Sequence, residues 1–125
     1  MGLFQDKLYY RRESSSETRK IELRNVEPKP GEQAIYATSS DPNRTHGSCV
    51  IALLSNPSGE GKTLIIAGTD SQATETGGDL LTQERSLESL EKRLGGDLSM
   101  PFQVLLRTSR LAGSPISTEI ASARR

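Results

Sequence analysis

Thr63-Leu64-Ile65-Ile66-Ala67-Gly68-Thr69-Asp70-Ser71-Gln72-Ala73 is the stretch on which the fold turns. Its first five residues form a β-branched, apolar run too short for a helix, so they read as a strand. Gly68-Thr69-Asp70 then breaks the strand. Thr69 can cap a following helix, with Gln72 three residues on completing a T-x-x-Q capping box. Ala73, Gly77, Leu80 and Leu81 recur on one helical face. Gly77 and Gly78 each weaken a helix by about 1 kcal/mol relative to alanine, and close approach of the helix to a sheet would explain glycines on an inner face. A second helix is expected over 83–94. There Leu87, Leu90 and Leu94 are spaced three and four apart, Glu88 and Lys92 form an i,i+4 pair, and Gly95-Gly96 marks the end.

Before this unit, Cys49-Val50-Ile51-Ala52-Leu53-Leu54 lies in a second apolar run, over 48–54. Neither run alternates, which predicts burial on both faces. After it, residues 102–108 and 115–123 read as strands joined by a turn at 111–114 with Gly113, a hairpin. The linkage from Ile66 to Val104 is long enough for a right-handed crossover between parallel strands. The expected fold class is therefore α/β: a mixed β-sheet with a β-α-α-β crossover, a parallel pair at the crossover, both helices on one face and a C-terminal antiparallel hairpin. Residues 1–46 form a polar N-terminal segment broken by Pro28, Pro30 and Pro42. Short strands over 20–24 and 33–37 are expected there, packed on or extending the sheet. Pro28-Lys29-Pro30-Gly31 turns between them, and a loose serine-rich loop spans 13–18. Residues 47–125 form the compact core, one domain overall.

Sixteen basic and sixteen acidic residues balance, so no overall field favours nucleic acid or an anionic membrane. The single cysteine, Cys49, rules out a disulfide scaffold and reads as a small buried hydrophobe. No apolar stretch approaches membrane-spanning length, and residues 1–12 lack the apolar core of a signal peptide. The expected location is cytoplasmic, with no membrane contact and no cofactor.

Asn56-Pro57-Ser58-Gly59-Glu60-Gly61-Lys62-Thr63 follows a strand and ends Gly-Lys-Thr, like a phosphate-cradling loop. Gly59, Gly61, Lys62 and Thr63 would hold the phosphates. However, Asn56 stands where that pattern has its first glycine, and an apolar strand follows rather than the helix whose N-terminus would bind the phosphates. Gly68, Thr69, Asp70 and Ser71 are the second candidate, a strand end meeting a helix N-terminus where a small anionic ligand could sit. Ordinary capping accounts for the same hydroxyls, and Asp70 places negative charge where the anion would lie. His46 is the only histidine, without partners for a metal site or an elbow motif for a catalytic triad. Arg107, Arg110, Arg124 and Arg125 make the C-terminal hairpin basic, as a solvated face or a contact surface. The basic end has no aromatics for base stacking, so direct nucleic-acid binding is not expected.

Several pieces together resemble one uncharacterised bacterial family: Ile21-Glu22-Leu23-Arg24-Asn25, Pro28-Lys29-Pro30-Gly31-Glu32-Gln33-Ala34-Ile35-Tyr36, Val50-Ile51-Ala52-Leu53-Leu54-Ser55-Asn56, Leu64-Ile65-Ile66-Ala67-Gly68-Thr69 with Thr74-Glu75, Leu80-Leu81-Thr82, and Pro101-Phe102-Gln103-Val104-Leu105-Leu106-Arg107. The similarity runs from about residue 20 to the end. In that family the matching unit is the C-terminal α/β domain of longer chains, which often begin with a predicted helix-turn-helix region. This chain lacks that region and an upstream strand and helix of the fuller domain. It also has Ala73-Thr74-Glu75-Thr76-Gly77 where the family pattern has Gly-Thr-x-Ala-Ala. The resemblance implies sensing or interaction in a transcriptional regulator and supplies no catalytic residues.

The expected function is a non-enzymatic ligand- or protein-binding domain, with a nucleotide-binding enzyme using residues 59–63 as the alternative. If the upstream strand is absent, the sheet exposes an edge, and edges recruit partners or another copy of the chain. A homodimer or a protein partner through that edge is the expected association.

Overall fold

A computed structural model describes residues 9–14, 21–37, 39–40, 44–111 and 117–124. The order of elements is β1 (Tyr10–Ser14), β2 (Ile21–Asn25), β3 (Ile35–Ala37), β4 (Ser39–Ser40), β5 (Arg44–Ser55), β6 (Lys62–Gly68), α1 (Ser71–Leu80), α2 (Glu84–Leu94), β7 (Phe102–Leu111) and β8 (Ser117–Arg124). β1, β2 and β3 form one antiparallel sheet. The larger sheet is centred on β5, with β4 and β6 along one edge, β7 along the other and β8 beyond β7.

The expected mixed sheet is not what forms. β6 and β7 both pair antiparallel with β5, from opposite sides, so no two neighbouring strands among the described residues are parallel. The segment between β6 and β7 carries the chain past β5 rather than back beside β6. β5 can accept both because it is long, pairing with β7 from Arg44↔Leu111 to Leu53↔Phe102 and with β6 from Cys49↔Gly68 to Ser55↔Lys62. The expected balance of helix and sheet is also overturned. The helices have only 10 and 11 residues and the chain is mostly β. The polar N-terminal third supplies a whole second sheet. Its first strand, β1, reads as polar because Arg11, Arg12 and Glu13 fill it, yet Tyr10 is buried.

Side chains alternate across β5 and β7. Cys49 and Ile51, with Phe102, Val104 and Leu106, meet Ala73 of α1 and Leu90 of α2 in one core. Val50 and Leu105 face the other way, onto Tyr10, Leu23 and Tyr36 of the smaller sheet. This two-sided burial is why the apolar run over 48–54 shows no alternation.

Helix α1 starts one residue later than a Thr69 cap would place it. Asp70 is the cap, its Oδ1 accepting from the Ala73 N–H at 2.7 Å. Thr69 instead accepts the Ser48 N–H on Oγ1 at 3.1 Å, tying the strand end to β5. Gly77 lies against the sheet: a Cβ there would stand 2.6 Å from Cys49 Sγ. Gly78 faces open space. Helix α2 ends in a left-handed Gly95 (φ 79°), with Lys92 and Arg93 in its last turn favouring the dipole. The turn at 28–31 forms, with Glu32 N–H donating to Lys29 O at 2.9 Å and Gly31 at φ 88°. Most of the turn expected at 111–114, residues 15–18 of the serine-rich loop, Pro42 and Arg125 lie outside the described residues.

Candidate functional site

The loop carrying Gly59, Gly61, Lys62 and Thr63 connects two antiparallel strands. Asn56 organises it. Its N–H donates to Gly61 O (3.1 Å), its Nδ2 donates to Glu60 O (2.9 Å), and its Oδ1 accepts from Thr63 Oγ1 (2.5 Å). Gly59 and Gly61 are needed for positive φ, at 82° and 72°. Lys62 and Thr63 already belong to β6. The loop thus opens a strand rather than the helix whose N-terminus would receive phosphate oxygens.

The strand end at 68–70 is occupied by its own bonds, while Ser71 opens α1 with an exposed side chain. Gly68 O accepts Arg12 Nε at 3.0 Å, and Thr69 N–H donates to Ser48 O at 2.9 Å. Asp70 takes the Ala73 N–H on its carboxylate and the Thr74 N–H and hydroxyl on its carbonyl, both at 3.1 Å. A Cβ on Gly68 would stand 2.5 Å from Thr74 Oγ1, so the backbone there is sealed against the helix. The Asp70 carboxylate sits at the helix start, where an incoming anion would need to sit.

Among the described residues, the outer edge of β6 is a surface left open. Within the β5–β6 hairpin, Thr69 donates to Ser48 and Asn56 to Gly61. These two bonds fix which pairs exchange backbone hydrogen bonds: 48 with 69, 50 with 67, 52 with 65 and 54 with 63. The N–H and C=O of Leu64 and Ile66 therefore point away from β5. Among the described residues β6 has no other strand beside it, and Arg12 closes the edge at Gly68. Leu64 is 48% exposed, the second most exposed large apolar side chain described. Ile65 and Ile66 are half-buried. Nothing inside Thr63–Ala67 guards this edge, since it has no charge, no proline and no bulge. By contrast, β8, at the other side of the sheet, slips register opposite Leu105/Leu106 and carries Glu119. Both apolar runs look equally buried in the sequence, so the open edge gave no signal there.

Arg124 takes a role opposite to a solvated one. It is buried at the end of β8, and its Nη2 donates to Glu32 Oε1 (2.6 Å) and Glu27 O (3.1 Å), with Asn25 Oδ1 at 3.5 Å. Its guanidinium lies 4.3 Å from the Tyr9 ring centroid and 5.9 Å from that of Tyr10. Tyr10 in turn bonds Ser122 through its hydroxyl. This cluster joins the two sheets. Cys49 is fully buried, and burial pushes its thiol up to about 11, which leaves no thiolate for chemistry at neutral pH.

Among the described residues no three of His, Cys, Asp and Glu converge, and no helix is long and apolar enough to cross a membrane. Comparison of the chain with models of protein families, with curated sequences and with solved structures returns no match.

Proposed function

We propose that the chain is a non-enzymatic interaction domain whose working surface is the open edge of β6. The observation that carries this is the pair of outward-facing backbone groups on Leu64 and Ile66, flanked by apolar side chains on both faces. Such an edge takes an extended strand through main-chain bonds. A second copy fits it directly. About a two-fold axis at Ile65, Leu64 of each copy stands opposite Ile66 of the other, and all four free donors and acceptors are used. Zero net charge opposes this little. A strand of another protein can use the same groups. The resemblance to the C-terminal domain of bacterial regulators supplies the setting, an interaction or sensing unit in the cytoplasm. The nucleotide-enzyme alternative gains no support from a loop that opens a strand.

Light scattering on the full chain tests the reading. A dimer is expected, and Leu64→Pro should give a monomer with an unchanged circular dichroism spectrum. The Leu64 N–H serves no bond to β5, so proline there removes only the edge donor. Leu64→Lys should act the same way by charge. A monomeric wild type that binds a synthetic peptide of residues 61–69 assigns the edge to a foreign strand. A monomer that binds no such peptide overturns the reading.

A further inference from the structure

A second surface lies at the opposite end of β5, away from the open stretch of β6. His46 and Ser48 on β5 follow the same alternation as Val50, and Arg107 on β7 follows that of Leu105. Val50 and Leu105 contact the smaller sheet, so His46, Ser48 and Arg107 face the same side. Tyr36 and Gln33, of the smaller sheet and the turn before it, complete a cleft of about 330 Å³ between the sheets. A neighbouring hollow of about 460 Å³ shares His46 and Arg107 and continues along β8.

The polar groups of this cleft are unspent. The side chains of His46, Ser48 and Arg107 make no hydrogen bond or ion pair among the described residues. Tyr36 accepts the Gln33 N–H on its hydroxyl at 3.0 Å, which leaves the phenolic proton to donate. Ser48 and Tyr36 are buried, so their hydroxyls are held in place by the packing around them. Among the described residues no carboxylate lines the cleft itself. Glu119, opposite Arg107 in the β7–β8 register, lines only the neighbouring hollow and forms no ion pair with it. An arginine, a histidine and two hydroxyl donors converging without an acid are the donor set of an oxyanion site. The guanidinium offers a planar fork to a carboxylate or phosphate, and the hydroxyls fix the remaining oxygens. The volume suits a metabolite-sized ligand.

We propose that this cleft binds a small organic anion through a carboxylate or phosphate group. Arg107 supplies the charge, and His46, Ser48 and Tyr36 orient the oxygens. The site differs from the strand end at 68–71, where the Asp70 carboxylate stands at the helix start, and it does not depend on the β6 edge.

The test is a two-dimensional amide spectrum of the full chain, titrated separately with inorganic phosphate and with succinate at constant ionic strength. Saturable shifts confined to Ala37, Gly47, Ser48 and Thr108 are expected from at least one anion. The responding anion identifies the headgroup. Arg107→Gln should weaken that binding about tenfold or more, the scale of one charge-assisted hydrogen bond, and His46→Gln should weaken it less. Each variant is checked for an otherwise unchanged spectrum. Three results would overturn the proposal: no saturable shift from either anion, equal shifts from sodium chloride alone, or binding undiminished in a folded Arg107→Gln variant.

Discussion

Two neighbouring glycines in α1 look alike in sequence and differ in what surrounds them. At Gly77 an added Cβ would lie 2.6 Å from Cys49 Sγ and 3.2 Å from Ile66 Cγ2, while at Gly78 nothing lies within 4 Å. Gly78→Ala should therefore stabilise the protein by about 0.5–1 kcal/mol, the helix-propensity gain alone. Gly77→Ala makes the same gain but overfills a close-packed contact, which costs about 1–3 kcal/mol. The expected net effect is destabilising. Urea denaturation of both variants separates the two cases. Adding Cys49→Ala to Gly77→Ala should recover part of the loss, because it removes the nearer of the two obstructing atoms. Full additivity of the two changes would show that the contact with Cys49 is not what holds the helix close.

At the scale of the element, the helix start shows how one residue of shift changes roles. Asp70 caps α1, and its replacement by alanine should cost about 1 kcal/mol, within the usual 0.5–2 kcal/mol for a lost cap. Thr69→Val leaves the buried Ser48 N–H without its acceptor and should cost about 1–3 kcal/mol. Thermal melts of the two variants check this, and a neutral Thr69→Val would contradict the strand-tying role. Much of the element pattern was legible. The apolar runs over 48–54 and 63–67 fall in β5 and β6, Leu87, Leu90 and Leu94 lie within α2, and Gly95 ends it. Local pattern alone did not carry the pairing. An unbroken apolar run states that both faces are covered, not whether helix or sheet covers them. A long linkage between strands states that the chain crosses over, not that the strands end as neighbours. Of the surfaces, the edge at Leu64 and Ile66 depends on hydrogen-bond parity in a hairpin, and the cleft at His46 and Arg107 depends on residues 61 positions apart meeting on one face. Neither leaves a contiguous motif.

Across the whole molecule, Arg124 and Glu32 hold one sheet to the other across 92 positions of sequence. Burial pushes the Glu32 carboxyl up, but the Lys29 N–H, the Asn25 amide and the Arg124 guanidinium outweigh it and hold the group below its ordinary value of 4.5. A carboxyl lowered in the folded state stabilises that state fully above its unfolded value, and the contribution fades as pH falls through the lowered one. The protein should therefore lose stability on acidification from about pH 5 downward, and Glu32→Gln should flatten that loss. Arg124→Met removes the buried member of a part-buried pair. It should cost about 1–3 kcal/mol near neutral pH, because the part-buried Glu32 loses a charged partner but keeps the Asn25 amide and the Lys29 N–H. Acidification should narrow the gap between Arg124→Met and wild type, since protonation relieves the stranded carboxylate. The double variant Arg124→Met/Glu32→Leu should recover much of the loss, as hydrophobic replacement of buried ion pairs does elsewhere. Urea midpoints measured at about pH 7 and about pH 3 decide the matter. A pH dependence identical in wild type and Arg124→Met would show that the guanidinium does not hold the Glu32 charge. The two sheets would then be joined by Tyr10, Leu23 and Tyr36 packing on Val50 and Leu105, with the ion pair adding nothing to their union.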